Sequence, residues 1–214
     1  MSTTTTMPTT PAAPAGPSAP PSLTPNAPLL SRLYRLTVRQ YHQMIQDGVL
    51  GKRDRVELIE GLLVVKMSKK PPHVVAGKKG LRMLERVVPQ GWNVAKEDPI
   101  IASDWSEPEP DLAMVRGQPR DYLQRRVMAG DVALVVEIAE SSLSTDRSEM
   151  GRVYAASGIP YYWIVNLVDR QIELYTGPSP SGYQSRQDLK PGQDVPVVVD
   201  GVEVGRIPVS DILP

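Results

Sequence analysis

The stretch Val132-Ala133-Leu134-Val135-Val136-Glu137-Ile138-Ala139 constrains the fold more than any other part of the chain. It is apolar everywhere except Glu137 and rich in β-branched residues, which reads as a strand buried on both faces. Such strands belong in the middle of a sheet that helices cover. Glu137 is then a carboxylate in a dry strand. That costs roughly several kcal/mol unless the acid is paired, protonated or bound to a metal.

A second acid has a related setting. Asp111 follows Pro110 in Ser106-Glu107-Pro108-Glu109-Pro110-Asp111 and precedes the apolar run Leu112-Ala113-Met114-Val115. In the expected arrangement Asp111 begins the strand beside 132–139. Two acids on neighbouring core strands are a usual way to hold a hard divalent cation such as Mg²⁺. The plainer alternatives are that Asp111 only opens a strand after a proline turn, and that Glu137 pairs with Arg147 or a lysine.

The rest of the chain reads as a mixed α/β domain. Thr37 caps a helix over about 38–46, with Val38, Tyr41 and Ile45 on one face. Val56–Glu60, Gly61 and Leu62–Met67 form a tight antiparallel hairpin. Helical periodicity runs from Pro72 to Val88, with Val75, Leu81, Leu84 and Val88 as core contacts. Lys78, Lys79, Arg82 and Arg86 lie on the same helix, ordinarily a solvated face. Short strands follow at 92–95, 99–102 and 111–115, then a loop with a short helix over 117–126. A helix from about Thr145 to Ser157 stops at Gly158-Ile159-Pro160. Strands at 161–167 and 171–175 come next, then a Gly- and Pro-rich loop at 177–182, and further strands that include 195–199 and 202–207.

Residues 1–29 are mostly Thr, Pro, Ala and Ser without a charged side chain, a composition that buries too little apolar surface to fold. They read as a disordered tail before a single domain over 30–214. The tail has no basic start and no continuous apolar stretch, so it is not read as a secretory signal. No segment has the apolar length of a membrane span. Cysteine is absent, which excludes disulfides and thiolate chemistry and fits a cytoplasmic setting. The 24 basic and 24 acidic residues give zero net charge, compatible with a local basic patch beside an acidic site. Phenylalanine is also absent, so Leu, Val, Ile, Tyr and Trp must build the core.

One ordered series of motifs goes further. It comprises Glu57-Leu58-Ile59-Glu60-Gly61, His73, Glu107-Pro108-Glu109-Pro110-Asp111, Val136-Glu137-Ile138-Ala139-Glu140-Ser141-Ser142-Leu143, Asp146-Arg147 and Tyr154-Ala155-Ala156-Ser157-Gly158-Ile159-Pro160-Tyr161-Tyr162-Trp163. The series resembles the Uma2 family of the PD-(D/E)xK restriction-endonuclease-like superfamily, from about Leu33 to Tyr175. The resemblance implies an α/β (α+β) restriction-endonuclease-like core. Helices would flank a mixed central β-sheet, with an N-terminal hairpin and additional C-terminal strands.

It also implies a Mg²⁺-dependent DNA endonuclease, with Mn²⁺ as the alternative metal and a homodimer for cutting both strands. Asp111 and Glu137 would be the catalytic acids and metal ligands, the Ile138 carbonyl would complete the metal shell, and Glu60 would be an additional acid. His73, Lys78, Lys79, Arg82 and Arg147 are the candidates for DNA phosphate contacts. The motif's strand lysine is replaced by Ala139. A lysine expected four residues before Tyr154 is replaced by Met150, which carries neither charge nor donor. Arg147 is one turn earlier, and Arg152 should point to a different side of that helix. The alternative function is therefore a catalytically impaired module that binds nucleic acid or another partner.

Overall fold

The computed structural model describes residues 32–214; the tail expected over 1–29 lies outside them. A six-stranded mixed sheet organises the domain. Its elements are β3 (Trp92–Ala95), β5 (Leu112–Arg116), β7 (Val132–Ala139), β8 (Tyr161–Asn166), β9 (Gln171–Ser179) and β10 (Gly182–Leu189), in the order β10-β9-β8-β7-β5-β3. Only β7 and β8 run parallel; every other neighbouring pair is antiparallel. A parallel pair needs a crossover. Here it consists of α3 (Leu143–Thr145), a π-helical turn at Asp146–Met150 and α4 (Gly151–Ala156).

Alternation along the strands makes two cores. Leu134, Val136 and Ile138 of β7 join Leu112 and Met114 of β5, and Trp163 and Val165 of β8, on one face. Helix α2 (Pro71–Val87), the hairpin β11 (Asp194–Val199) with β12 (Val202–Pro208), and the short α5 (Val209–Ile212) cover that face. Val135 and Ala139 face the other way, with Ala113, Tyr162 and Ile164, against Met150, Val153 and Tyr154 of the crossover. Glu137 falls on this second face by the same period of two.

Three smaller parts complete the chain. The hairpin β1 (Val56–Ile59) and β2 (Leu62–Val65) is a separate two-stranded sheet joined to the segment before β5 by a Leu58–Glu107 bridge. Helix α1 (Val38–Gln46) docks on it through Val38, Tyr41 and Leu58, and Thr37 caps α1 with a capping box. β4 (Ile100–Ile101) pairs with β6 (Val127–Met128) in parallel. At the hairpin turn Glu60 and Gly61 both have positive φ, 49° and 80°. Gly61 is required there, because an added Cβ would lie 2.6 Å from Arg35 Cβ.

Several expectations change. In α2 the buried face is Ala76, Gly77, Gly80 and Leu84, whereas Val75 is 44% exposed. Glycine sets that face: at Gly80 a Cβ would meet Leu112 Cδ1 at 3.1 Å, so the helix lies closer to the sheet than a valine stripe would allow. Ile45 of α1 is likewise exposed. The expected loop over 177–182 is instead the tip of a long β9–β10 hairpin, and β10 forms an edge of the main sheet. The expected continuous helix over 145–157 is broken by the π turn, with Gly151 N–H donating to the Asp146 carbonyl.

Candidate functional site

The ladder between β5 and β7 ends at Leu112↔Val136. Beyond it β7 continues through Glu137, Ile138 and Ala139, while the other chain turns away at Asp111. Main-chain amides exposed by that divergence need acceptors, and the two acids provide them. Ile138 N–H donates to Asp111 Oδ2 at 2.9 Å, and Asp111 N–H donates to Glu137 Oε2 at 3.3 Å. The structure thus places Asp111, Glu137 and Ile138 together, at the carboxyl end of β7.

They open onto a cleft of about 1100 Å³ between the β1–β2 hairpin and the α3–π–α4 crossover. His73, in the first turn of α2, sets Nε2 3.0 Å from Asp111 Oδ2. Lys69, just before α2, sets Nζ 2.7 Å from Asp111 Oδ1 and 3.1 Å from Glu97. Burial pushes the Asp111 carboxyl up, but His73 and Lys69 outweigh it and hold the group below the usual carboxylate value. Lys69 shows the converse. Burial lowers it, and its bonds to Asp111 and Glu97 hold it above an ordinary lysine.

Glu137 has no such cation. The Tyr154 hydroxyl donates to its Oε1 at 2.7 Å. Burial, then the charges of Asp111 and Asp146, push the Glu137 carboxyl well above its ordinary value against that bond. Asp146 is pushed up to about 6, again by burial first, although the Ser142 hydroxyl donates to it at 2.6 Å. Glu57, which reads from sequence as a solvated strand residue, is partly buried here; burial raises it, opposed by the Glu109 amide at 2.9 Å and by Lys66. Four carboxyls therefore disfavour one another's charge around one cleft.

The crossover sorts its arginines by the π turn. Arg147 turns away from the cleft and grips Glu173, with Nη2 2.5 Å from Oε1, and also approaches Asp169 at 3.3 Å. Arg152 turns into the cleft and holds Glu60 with both guanidinium nitrogens, one of them at 2.9 Å. An uninterrupted α-helix would have directed these side chains differently; the π turn adds one residue and rotates everything after it. Glu60 thus lines the cleft with its carboxylate already engaged. Met150 is buried in the same wall.

The basic residues of α2 stand apart from these acids. Lys78 and Arg82 are exposed, and neither lines the cleft. Lys79 donates to the carbonyls of Ser210 and Leu213, at 3.2 Å for the former, which ties α2 to the end of the chain.

Sequence reasoning missed Lys69, the place of Asp146 in the cluster, and the bond from Tyr154 to Glu137. The absence of phenylalanine held a signal for the last. Tyrosines fill the aromatic core, and each buried hydroxyl must find an acceptor. Tyr154, Tyr162, Tyr175 and Tyr183 do so at Glu137, the Asp146 carbonyl, Glu173 and the Ile159 carbonyl.

Among the described residues no three His, Cys, Asp or Glu side chains converge as a ready metal cage. The donors facing the cleft are nonetheless hard carboxylate oxygens, and the charge of Asp111 helps raise Glu137, Asp146 and Glu57, a repulsion that a hard divalent cation relieves. On donor chemistry, Asp111 and Glu137 fit Mg²⁺ or Mn²⁺.

A family model described as "Uma2: Putative restriction endonuclease" matches residues 38–209. A solved structure from Anabaena variabilis ATCC 29413, described as a putative nuclease belonging to DUF820, shares the fold at a TM-score of 0.63 and 16% identity. The match covers 83% of this chain and 97% of that one. No curated protein matches the chain.

Proposed function

The chain belongs to the Uma2 family, a nuclease-like family by its description, and from that premise we propose that it is a metal-dependent DNA endonuclease. The observation that carries the reading is the pair of strand-end carboxylates, Asp111 and Glu137, locked by main-chain bonds at the floor of an open cleft. Those two acids would hold the metal, with the Ile138 carbonyl as a further oxygen donor. A bound Mg²⁺ or Mn²⁺ supplies Lewis-acid charge at a phosphodiester.

The chain's own groups do the remaining work. Tyr154 fixes the direction of Glu137, and His73 fixes that of Asp111, so both acids face the cleft before any ligand arrives. Arg152 and Glu60 tie the crossover to the hairpin, while Lys70 and Arg55 line the cleft as phosphate-binding charge. A second copy would be needed for concerted cutting of both strands.

Met150 favours a second reading. A thioether in the cleft wall supplies no charge to a phosphate, so an impaired module that binds nucleic acid is the alternative. Supercoiled plasmid incubated with Mg²⁺, Mn²⁺ or EDTA separates the two. Metal-dependent nicking that disappears in Glu137→Ala is the expected result. Plasmid binding without nicking at any metal concentration would replace the endonuclease with the binding module.

A further inference from the structure

Lys69 stands in the segment between the β1–β2 hairpin and α2. It is one-third exposed, lines the cleft, and reaches both Asp111 and Glu97. The neighbouring cations have partners other than Asp111: Lys66 meets Glu109, Lys70 meets Glu140 at 3.3 Å, Arg152 meets Glu60, Arg147 meets Glu173, and Arg55 reaches Ser68 and the Met67 carbonyl. On the crossover side, Met150 lines the cleft with a thioether that carries no charge. Lys69 is thus the ammonium that the fold brings against Asp111.

We propose that Lys69 is the catalytic cation of this cleft, an ammonium that pivots on Asp111 and Glu97 to contact the scissile phosphate. The inference rests on the nuclease reading above and deepens it. An ammonium donates in three directions. Asp111 and Glu97 take two of them, and the third serves a phosphate oxygen. In hydrolysis the oxygen of water bonds to phosphorus and the phosphorus–oxygen bond to one sugar breaks. A proton from the water reaches the departing alkoxide through solvent. Lys69 keeps its own protons throughout and offsets the negative charge on the phosphate, where a partly enclosed site strengthens the effect.

The same contact has a second consequence. A cation already at Asp111 Oδ1 competes with a divalent ion for that oxygen, so removing it should help metal binding and harm turnover. A purely structural lysine would not separate the two. Full-length wild type, Lys69→Ala and Lys69→Arg are compared by calorimetric titration with Mn²⁺ without DNA, and by plasmid nicking at saturating Mn²⁺. Circular dichroism serves as the check on folding.

Lys69→Ala is expected to bind Mn²⁺ at least as tightly as wild type and to nick about 100-fold more slowly, with part of the rate kept in Lys69→Arg. Tighter Mn²⁺ binding with nicking within about twofold of wild type would make Lys69 a stand-in for the ion. That result overturns the inference and leaves the nuclease reading intact. Loss of Mn²⁺ binding together with nicking in both variants would assign Lys69 to the architecture of the site and also overturn it. A wild type that binds Mn²⁺ and never nicks overturns both readings.

Discussion

Asp111 and Glu137 are cross-linked through the backbone: the Asp111 amide binds the Glu137 carboxylate at 3.3 Å, and the Asp111 carboxylate binds the amide following Glu137 at 2.9 Å. Neither carboxylate can swing without breaking its own bond to the neighbouring strand's amide. The arrangement brings two carboxyl groups close together. Its electrostatic cost falls on Glu137, because Asp111 has His73 and Lys69 as partners and Glu137 has only hydrogen-bond donors.

Tyr154→Phe removes the hydroxyl that orients Glu137 and leaves the buried ring in place. Metal affinity is expected to fall by about 10–100-fold, as for other groups that orient a ligand. Stability should change by only about 1 kcal/mol. Mn²⁺ titration beside thermal melting checks both. Unchanged affinity would remove Tyr154 from the site.

Asp146 predicts an unusual pH dependence in metal-free protein. Its carboxyl is raised from 3.8 to about 6, so the folded state holds a proton over a window in which the unfolded chain has released it. Stability from this group therefore increases as pH falls from about 6 toward 4 and is lost as pH rises through that window. Two pKa units correspond to about 3 kcal/mol. Asp146→Asn should accordingly be more stable than wild type at pH 7 in EDTA, with the difference closing near pH 4. Denaturant melts of both proteins across that range measure it. A constant difference would exclude the linkage. Asp111 works in the opposite direction, since its lowered carboxyl costs stability once it is protonated at more acid pH.

Arg152→Ala leaves the Glu60 carboxylate, 8% exposed, without its guanidinium. Because Arg152 itself is 36% exposed, solvent screens part of the loss, and about 1–3 kcal/mol is expected. Adding Glu60→Gln should recover much of it. A double variant no more stable than Arg152→Ala would mean that the pair contributes little.

Gly61→Ala should destabilise the protein by roughly 1–3 kcal/mol, through both its positive φ and the close Arg35 side chain. Because Gly61 is part of the cleft wall's hairpin, early protection loss in hydrogen exchange is expected at β1 and β2. Uniform loss across the six-stranded sheet would count against a local effect.

The strands that carry the acids were legible because their signals are local. An apolar run interrupted by one glutamate places β7, and Pro-Asp before an apolar stretch places the start of β5. The mixed sheet and the family followed from the ordered motifs. Three features were not legible for a common reason: each depends on the phase of a helix or on a long-range approach. Nothing in Asp146–Met150 announces a π turn, so Arg152, expected on a different side of the helix from Met150, lines the same cleft. Gly77 and Gly80 set the buried face of α2, where hydropathy alone favours Val75. Lys69 precedes two prolines on what reads as a loop, and only the folded chain brings it to Asp111. β10 escaped because its polar pattern, Gln184-Ser185-Arg186-Gln187-Asp188, carries little hydrophobic signal for an edge strand.

The π turn has a consequence for chain length. One residue of helix is worth about 100° of rotation, and the turn inserts that phase between Asp146 and Arg152. Deleting a single residue there could preserve every functional side chain downstream while turning Arg152 away from Glu60 and Tyr154 away from Glu137. Substitution tests the chemistry of these contacts; deletion tests their timing along the helix. In this crossover, spacing is itself part of the site.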